Sequence, residues 1–218
     1  GSDLVLSLSN GVNITIADGD TTGSSTPQPA QGDDVYVDAS STALSITNAT
    51  GGNFEDLDTS DTATLTINDT IDTTTITLGD VTADEGTNTT ISASLDNPVT
   101  DSNLIITLDN GATITILVGE TTGTSTSFAV DNSEDVHVDA ASYALAITGT
   151  SGANFEDLDT SDTSTVTVTD TIDTTTVTLD DVTVDEGDGS ATITVSVDNA
   201  PDTDFTVTLS NGATATIT

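Results

Sequence analysis

The chain has 218 residues with 37 Asp and Glu and neither Lys nor Arg, giving a formal net charge of −37 at pH 7. Recognising phosphate needs cations facing the anion, so this composition excludes nucleic-acid binding and attachment to an anionic membrane surface. Cysteine is absent too, which excludes disulfides, thiolate metal sites and thiol nucleophiles.

What such a chain attracts is cations, above all divalent metal. Hydrophobic residues make up 33% and aromatics 3%, near the composition at which an acidic chain stays disordered. The apolar residues nevertheless alternate in short runs, which points to strands. The longest unbroken apolar run, Tyr143 to Ile147, is far too short to span a bilayer, so no membrane insertion is expected. No signal peptide is recognisable, and Gly1-Ser2 reads as a cloning remnant of an excised fragment.

Along the chain, Asn10-Gly11 recurs as Asn110-Gly111 and Asn211-Gly212. Gly52-Asn53-Phe54-Glu55-Asp56-Leu57-Asp58 recurs 101 residues later as Ala153-Asn154-Phe155-Glu156-Asp157-Leu158-Asp159. The same offset links Thr73-Thr74-Thr75-Ile76 to Thr174-Thr175-Thr176-Val177, and Asp84-Glu85-Gly86 to Asp185-Glu186-Gly187. A repeat of about 100 residues is a whole domain rather than a solenoid coil. The Asp-rich junctions Asp69-Thr70-Ile71-Asp72 and Asp170-Thr171-Ile172-Asp173 set the expected boundaries. Residues 1–72 are the later part of one unit, lacking its first two strands. Residues 73–172 are a complete unit, and 173–218 open a third.

Period-2 alternation predicts the strands of the complete unit. Strand A holds Ile76 and Leu78, with Val81 after a break. Strand B carries Ile91, Ala93 and Leu95, and strand C carries Leu104, Ile106 and Leu108. Asp109-Asn110-Gly111 is a hairpin turn, since Asn and Gly tolerate positive φ. Strand D follows with Ile114 and Ile116, and strand E covers about Thr124 to Val130. Strand F carries Tyr143, Leu145 and Ile147, and strand G carries Val166 and Val168. Outward positions are filled by Thr, which suits a solvated pleated face. No stretch reads as an amphipathic helix. Seven strands with turn signals between them predict an all-β, immunoglobulin-like sandwich, repeated in tandem.

Alternate loops of such a sandwich share a pole. At one pole of the complete unit the acids are Asp84, Glu85, Asp109, Glu134, Asp135, Asp139, Asp170 and Asp173. Their counterparts in the partial units are Asp33, Asp34, Asp38, Asp69, Asp72, Asp185 and Glu186. The other pole receives Asp101, Glu120, Glu156, Asp157, Asp159 and Asp162. Two carboxylates about 4 Å apart repel by roughly 4 kcal/mol at an effective dielectric near 20. Bound Ca²⁺ reverses that sign, and hard oxygen ligands are what it takes. The same ions at a pole are expected to clamp one repeat to the next. A solvated acidic surface is the plainer alternative. Neither the calcium loop of an EF-hand nor the Gly-rich nonapeptide repeat is present.

These residues resemble a known family. Val184-Asp185-Glu186-Gly187-Asp188-Gly189-Ser190-Ala191-Thr192-Ile193-Thr194-Val195 is similar to the opening of a Calx-β-type domain. So is the pairing of Gly119-Glu120-Thr121-Thr122-Gly123 with Glu134-Asp135 and a strand ending at Asp170. The whole repeat, with its Asn-Gly-Ala-Thr-Ile hairpin and Asn-Phe-Glu-Asp-Leu-Asp loop, resembles the extender repeats of large type I-secreted adhesins, the Lap-like and RTX adhesins. That resemblance implies calcium held by Glu85, Glu134 with Asp135, and Asp170. In the partial units it implies Glu186, Asp33 with Asp34, and Asp69. It also implies a bacterial cell-surface location and a spacer role in biofilm or host attachment.

An enzyme is not expected. The only histidine, His137, is replaced by Tyr36 in the sister repeat, and a catalytic base that one copy lacks is a poor choice. The alternative function is a sugar-, protein- or ice-binding module of the same adhesin, which copy number in the full gene would separate from a spacer. The incomplete ends carry a further expectation: residues 173–218 of one molecule complete residues 1–72 of another, head to tail.

Overall fold

The structure, a computed structural model, describes residues 1–218. It is all-β, and no helix is long and apolar enough to cross a membrane. The chain divides into two compact units, Gly1–Thr75 with Asn154–Asp159, and Ile76–Ala153 with Thr160–Thr218.

In the first unit, β1 (Leu4–Leu8), β2 (Asn13–Ile16), β3 (Ser40–Gly51) and β4 (Thr62–Ile67) form an antiparallel sheet in the order β2-β1-β3-β4. Leu4 is its one buried large side chain.

The next strands are β5 (Thr73–Leu78), β6 (Val81–Asp84), β7 (Asn88–Thr89), β8 (Ser92–Leu95), β9 (Leu104–Leu108) and β10 (Thr113–Ile116). They are followed by β11 (Thr122–Ser125), β12 (Phe128–Ala129), β13 (Ala141–Ser151), β14 (Asp157–Asp159) and β15 (Thr163–Thr169). One continuous sheet runs in the order β14-β5-β8-β11-β10-β9-β13-β15-β6. From β5 to β6 this order begins and ends on two halves of a single strand, the predicted strand A. The sheet therefore folds back on itself as a sandwich, closed by a strand that changes layers. β5 pairs antiparallel with β8, whereas β6 pairs parallel with β15.

The layer change happens at Gly79-Asp80, and it is fastened by side chains. Ser164, fully buried, donates from its hydroxyl to the Gly79 carbonyl at 2.7 Å. The Thr165 amide donates to Asp80 Oδ1 at 2.7 Å, and the Leu78 amide to Asp162 Oδ2 at 2.8 Å. Backbone groups that lose their ladder partner at the break are thus satisfied, as buried polar groups must be.

The core follows the alternation. Ile76, Leu104, Ile106, Ile114, Ile116 and Val166 are fully buried, each contributing about 1.5–3 kcal/mol relative to exposure. At the hairpin, Gly111 has φ +83°, and the Ala112 amide donates to Asn110 Oδ1 at 2.9 Å. Predicted strand E is interrupted: β11 pairs with β8, and β12 with β7. The break exists because the Ser125 hydroxyl takes the Ile91 amide at 3.0 Å, replacing a ladder bond.

The third repeat contributes β16 (Val177–Leu179), β17 (Val195–Val197), β18 (Phe205–Thr208) and β19 (Thr214–Ile217), as two separate antiparallel pairs. Val177, Leu179, Val182 and Val184 remain exposed. The same apolar alternation that builds a core in residues 76–168 has no facing layer here.

Candidate metal centre

Strand β6 ends at Asp84, and Glu85 follows with its amide bonded to the Thr169 carbonyl at 3.0 Å. This backbone bond extends the parallel β6–β15 pair by one step and turns the Glu85 side chain inward, where it is 1% exposed. Gly86 must follow. Its φ is +65°, and a Cβ there would lie 2.7 Å from the Cβ of Glu134. No other residue lets the loop carrying Glu134 close over this turn.

Three carboxylates meet at this point. One oxygen from each of Glu85, Asp139 and Asp170 lies within 4.8 Å of the others. Asp170 arrives directly off the end of β15. Asp139 is positioned by Asn132, whose amide donates to the Asp139 carbonyl at 3.1 Å and to its Oδ1 at 3.0 Å. Glu85 Oε1 accepts the Thr171 amide at 2.9 Å and the Thr171 hydroxyl at 3.1 Å. That hydroxyl also reaches Glu134 Oε1 at 2.6 Å, so one proton serves two carboxylates. Glu85 Oε2 and Asp170 Oδ1 are buried without any hydrogen-bond partner.

The Thr171 amide draws the Glu85 carboxyl down, but burial, the neighbouring Asp139 carboxyl and the charge of Glu134 together outweigh it, and the net shift is upward. A buried carboxylate held among other carboxylates prefers its proton unless a cation replaces it. The chain has no Lys or Arg to do so. Orphaned oxygens, a hard donor set and the absence of an internal counter-ion all fit a metal ion.

The first unit assembles acids in a related way. The Asp38 amide donates to Asp69 Oδ2 at 3.1 Å, and the repeat offset equates these two with Asp139 and Asp170. Here Glu156 meets Asp69. Glu156 Oε2 accepts the Asp72 amide at 2.6 Å, while its Oε1 is buried with no partner. The Asp72 amide lowers the Glu156 carboxyl, but burial and Asp69 raise it further, and the net shift is upward. Burial and then the charges of Asp69 and Asp34 raise Asp38.

The other predicted ligands lie elsewhere. Asp84 Oδ1 accepts the Thr169 hydroxyl at 2.6 Å. Asp135 and Asp34 each close a local turn, accepting the amides of His137 at 2.7 Å and Tyr36 at 2.8 Å. Asp33 accepts the Thr70 hydroxyl. Asp109 lines a surface groove with Asp131 and Tyr143. Asp173 and Glu186 are exposed, and the Asp185 amide is bonded to Asp188 at 3.0 Å. Glu156 was placed by the sequence at a pole but not among the ligands. The signal was there in the exact recurrence of Asn-Phe-Glu-Asp-Leu-Asp.

No curated protein and no solved structure matches the chain. The LapA domain matches residues 1–70, 72–171 and 173–218, nearly the whole sequence in three successive stretches. With its all-β repeats, the protein therefore belongs to the LapA domain family, the repeats of Lap-like large adhesins.

Proposed function

We propose that the chain is a calcium-stabilised extender segment of a bacterial cell-surface adhesin, projecting a distal binding domain for adhesion or biofilm formation. The observation that carries this reading is Glu85, 1% exposed, with one oxygen orphaned and a carboxylate oxygen within 4.8 Å of those of Asp139 and Asp170. Three carboxylates with no internal cation disfavour the fold, and a calcium ion turns the same oxygens into a staple. The metal ties the start of the repeat, at the end of β6, to its last strand, β15. Near-identical repeats joined at such points suit length and stiffness rather than turnover, and the family membership supports a structural role. In the first unit Asp38 and Glu156 each interact with Asp69, where one repeat's loop joins the preceding repeat's acids.

Thermal unfolding tests the metal. Extracellular calcium modules bind at about 10⁻⁴ to 10⁻³ M. At calcium near a hundred times the dissociation constant, the folded state gains about 2.7 kcal/mol. The midpoint should then rise by about 10 °C over the value in chelator at matched sodium ionic strength. Equal midpoints in the two buffers would remove calcium from the proposal.

A further inference from the structure

The loop Asn154–Asp159 belongs by sequence to the middle repeat and by its contacts to the first unit. The chain enters it through Ala153, whose φ of +57° lies in the left-handed region. Its counterpart one repeat earlier is Gly52, with φ +73°. Alanine is strained in that conformation and persists there only where the surrounding contacts hold it.

Those contacts run in two directions. Toward the preceding repeat, the Val37 amide donates to the Asn154 carbonyl at 3.0 Å, and the Asn154 side-chain amide donates to the Val37 carbonyl at 3.0 Å. The Glu156 amide donates to the Val35 carbonyl at 3.1 Å. Between these bonds Tyr36 and Phe155 form an isolated antiparallel bridge, and their rings stack with centroids 5.4 Å apart. The Asp72 amide fixes the Glu156 side chain through Oε2 at 2.6 Å. Toward its own repeat, Asp157–Asp159 pair in parallel with Thr73–Thr75, and the Thr73 hydroxyl donates to Asp157 Oδ2 at 2.8 Å. β14 thereby covers the edge of β5 that would otherwise be open. The chain has four Phe, two Tyr and no Trp, so a stacked pair concentrates at one point the aromatic area of a ring-poor protein.

We propose that Asn154–Glu156 is a latch by which the middle repeat holds the Val35-Tyr36-Val37 segment of the repeat before it, with the Phe155–Tyr36 stack as its anchor. The partner it fits is an extended segment of another LapA repeat that presents an aromatic ring between two valines. Backbone meets backbone on both sides of the ring, as in strand addition, and the ring sets which segment is accepted. Opening either side of the latch exposes the other, so neighbouring repeats share stability, as in arrays stabilised through their interfaces. The latch goes beyond the extender reading and does not depend on its metal, because it is built from hydrogen bonds and a ring stack.

Residue-resolved amide hydrogen exchange on the full chain, measured by NMR in chelator, tests it. The Val37 and Glu156 amides donate within the latch, so both should exchange slowly in the wild type. Phe155→Ala should speed exchange at Val37 about tenfold or more, and Tyr36→Ala should do the same at Glu156. Each variant thus reports on the repeat it does not belong to. Tyr36→Phe keeps the ring and should keep the protection. Amides of β1 and β3, and of β9 and β10, should hold their wild-type rates, showing that the loss is confined to the latch. Wild-type Val37 and Glu156 amides that exchange at unprotected rates would overturn the proposal. So would Phe155→Ala and Tyr36→Ala variants that leave the amide across the contact as slow as before, or a Tyr36→Phe variant that opens as readily as Tyr36→Ala. Working in chelator keeps calcium out of the measurement, so failure of the latch leaves the metal proposal standing, and equal melting midpoints with and without calcium leave the latch standing.

Discussion

Glu85→Gln should make the protein more stable in chelator and less stable in calcium. Glutamine keeps Oε1, and with it the bonds from the Thr171 amide and hydroxyl. The second oxygen, orphaned in the wild type, becomes an NH₂ group within the cluster that Glu85 forms with Asp139 and Asp170. A donor replaces an acceptor among acceptors, and one negative charge leaves a crowded site. Without metal, both changes favour the fold, and the midpoint should rise by a few degrees. With metal, the amide nitrogen is not a ligand and the charge is missing, so most of the roughly 10 °C gain should vanish. Opposite signs in the two buffers separate this from ordinary core damage, which lowers both midpoints. A variant that melts lower in chelator and keeps the full calcium gain would show that Glu85 packs the fold and binds nothing.

The calcium gain should also disappear on acidification, with the two melting curves converging. The carboxyls of Glu85, Glu156 and Asp38 are all raised in the folded state. A raised acid holds its proton more tightly folded than unfolded. The stability it contributes is therefore present below the unfolded value, 4.5 for glutamate, and is lost as pH rises through the folded one. In chelator the protein should grow more stable as pH falls from neutrality toward this range. Relief of the overall charge of −37 acts in the same direction. Asp58 and Asp198, lowered by hydrogen bonds from Ser60 and Thr176, oppose it only below the ordinary aspartate range. In calcium the sign inverts, because protons displace the ion from the same oxygens. Differential scanning calorimetry across pH, in calcium and in chelator, measures both trends. Parallel curves would mean that the metal binds groups other than these.

The architecture was legible because a sandwich strand has a strict period of two. Leu104, Ile106 and Leu108, then Ile114 and Ile116, announce both strands and the Asn110-Gly111 turn between them. The same rule could not tell a closed layer from an open one. Val177 and Leu179 alternate as Ile76 and Leu78 do, yet they stay exposed, since alternation reports which face is apolar and not whether another layer covers it. Strand A's break was visible before Val81, but its parallel partner was not, because β6 and β15 are about 85 residues apart and only tertiary packing brings them together. Among the acids, composition marked a pole without sorting it. Asp34 and Asp135 occupy their oxygens with nearby amides, as Asp does in turns, whereas Glu85 turns inward. That distinction is a matter of side-chain direction, which spacing does not encode. Strand β14 was read as loop, since three residues become a strand only when Thr73–Thr75 lie alongside.

The parallel pairing of β6 with β15 decides how the repeat bears tension. β6 lies near the start of the repeat and β15 at its end, in register from Val166 opposite Val81 to Thr169 opposite Asp84. Because the two run the same way, a pull on the chain at either side draws them past each other lengthwise. Their hydrogen bonds are loaded in shear, all at once, whereas an antiparallel pair held at one end opens bond by bond. Glu85 and Asp170 stand at the last step of this pair, so an ion between them rivets the seam at the point where the load leaves the repeat. Single-molecule extension should find the middle repeat yielding at a higher force in calcium than in chelator, and equal forces would mean that the seam carries the load without the ion.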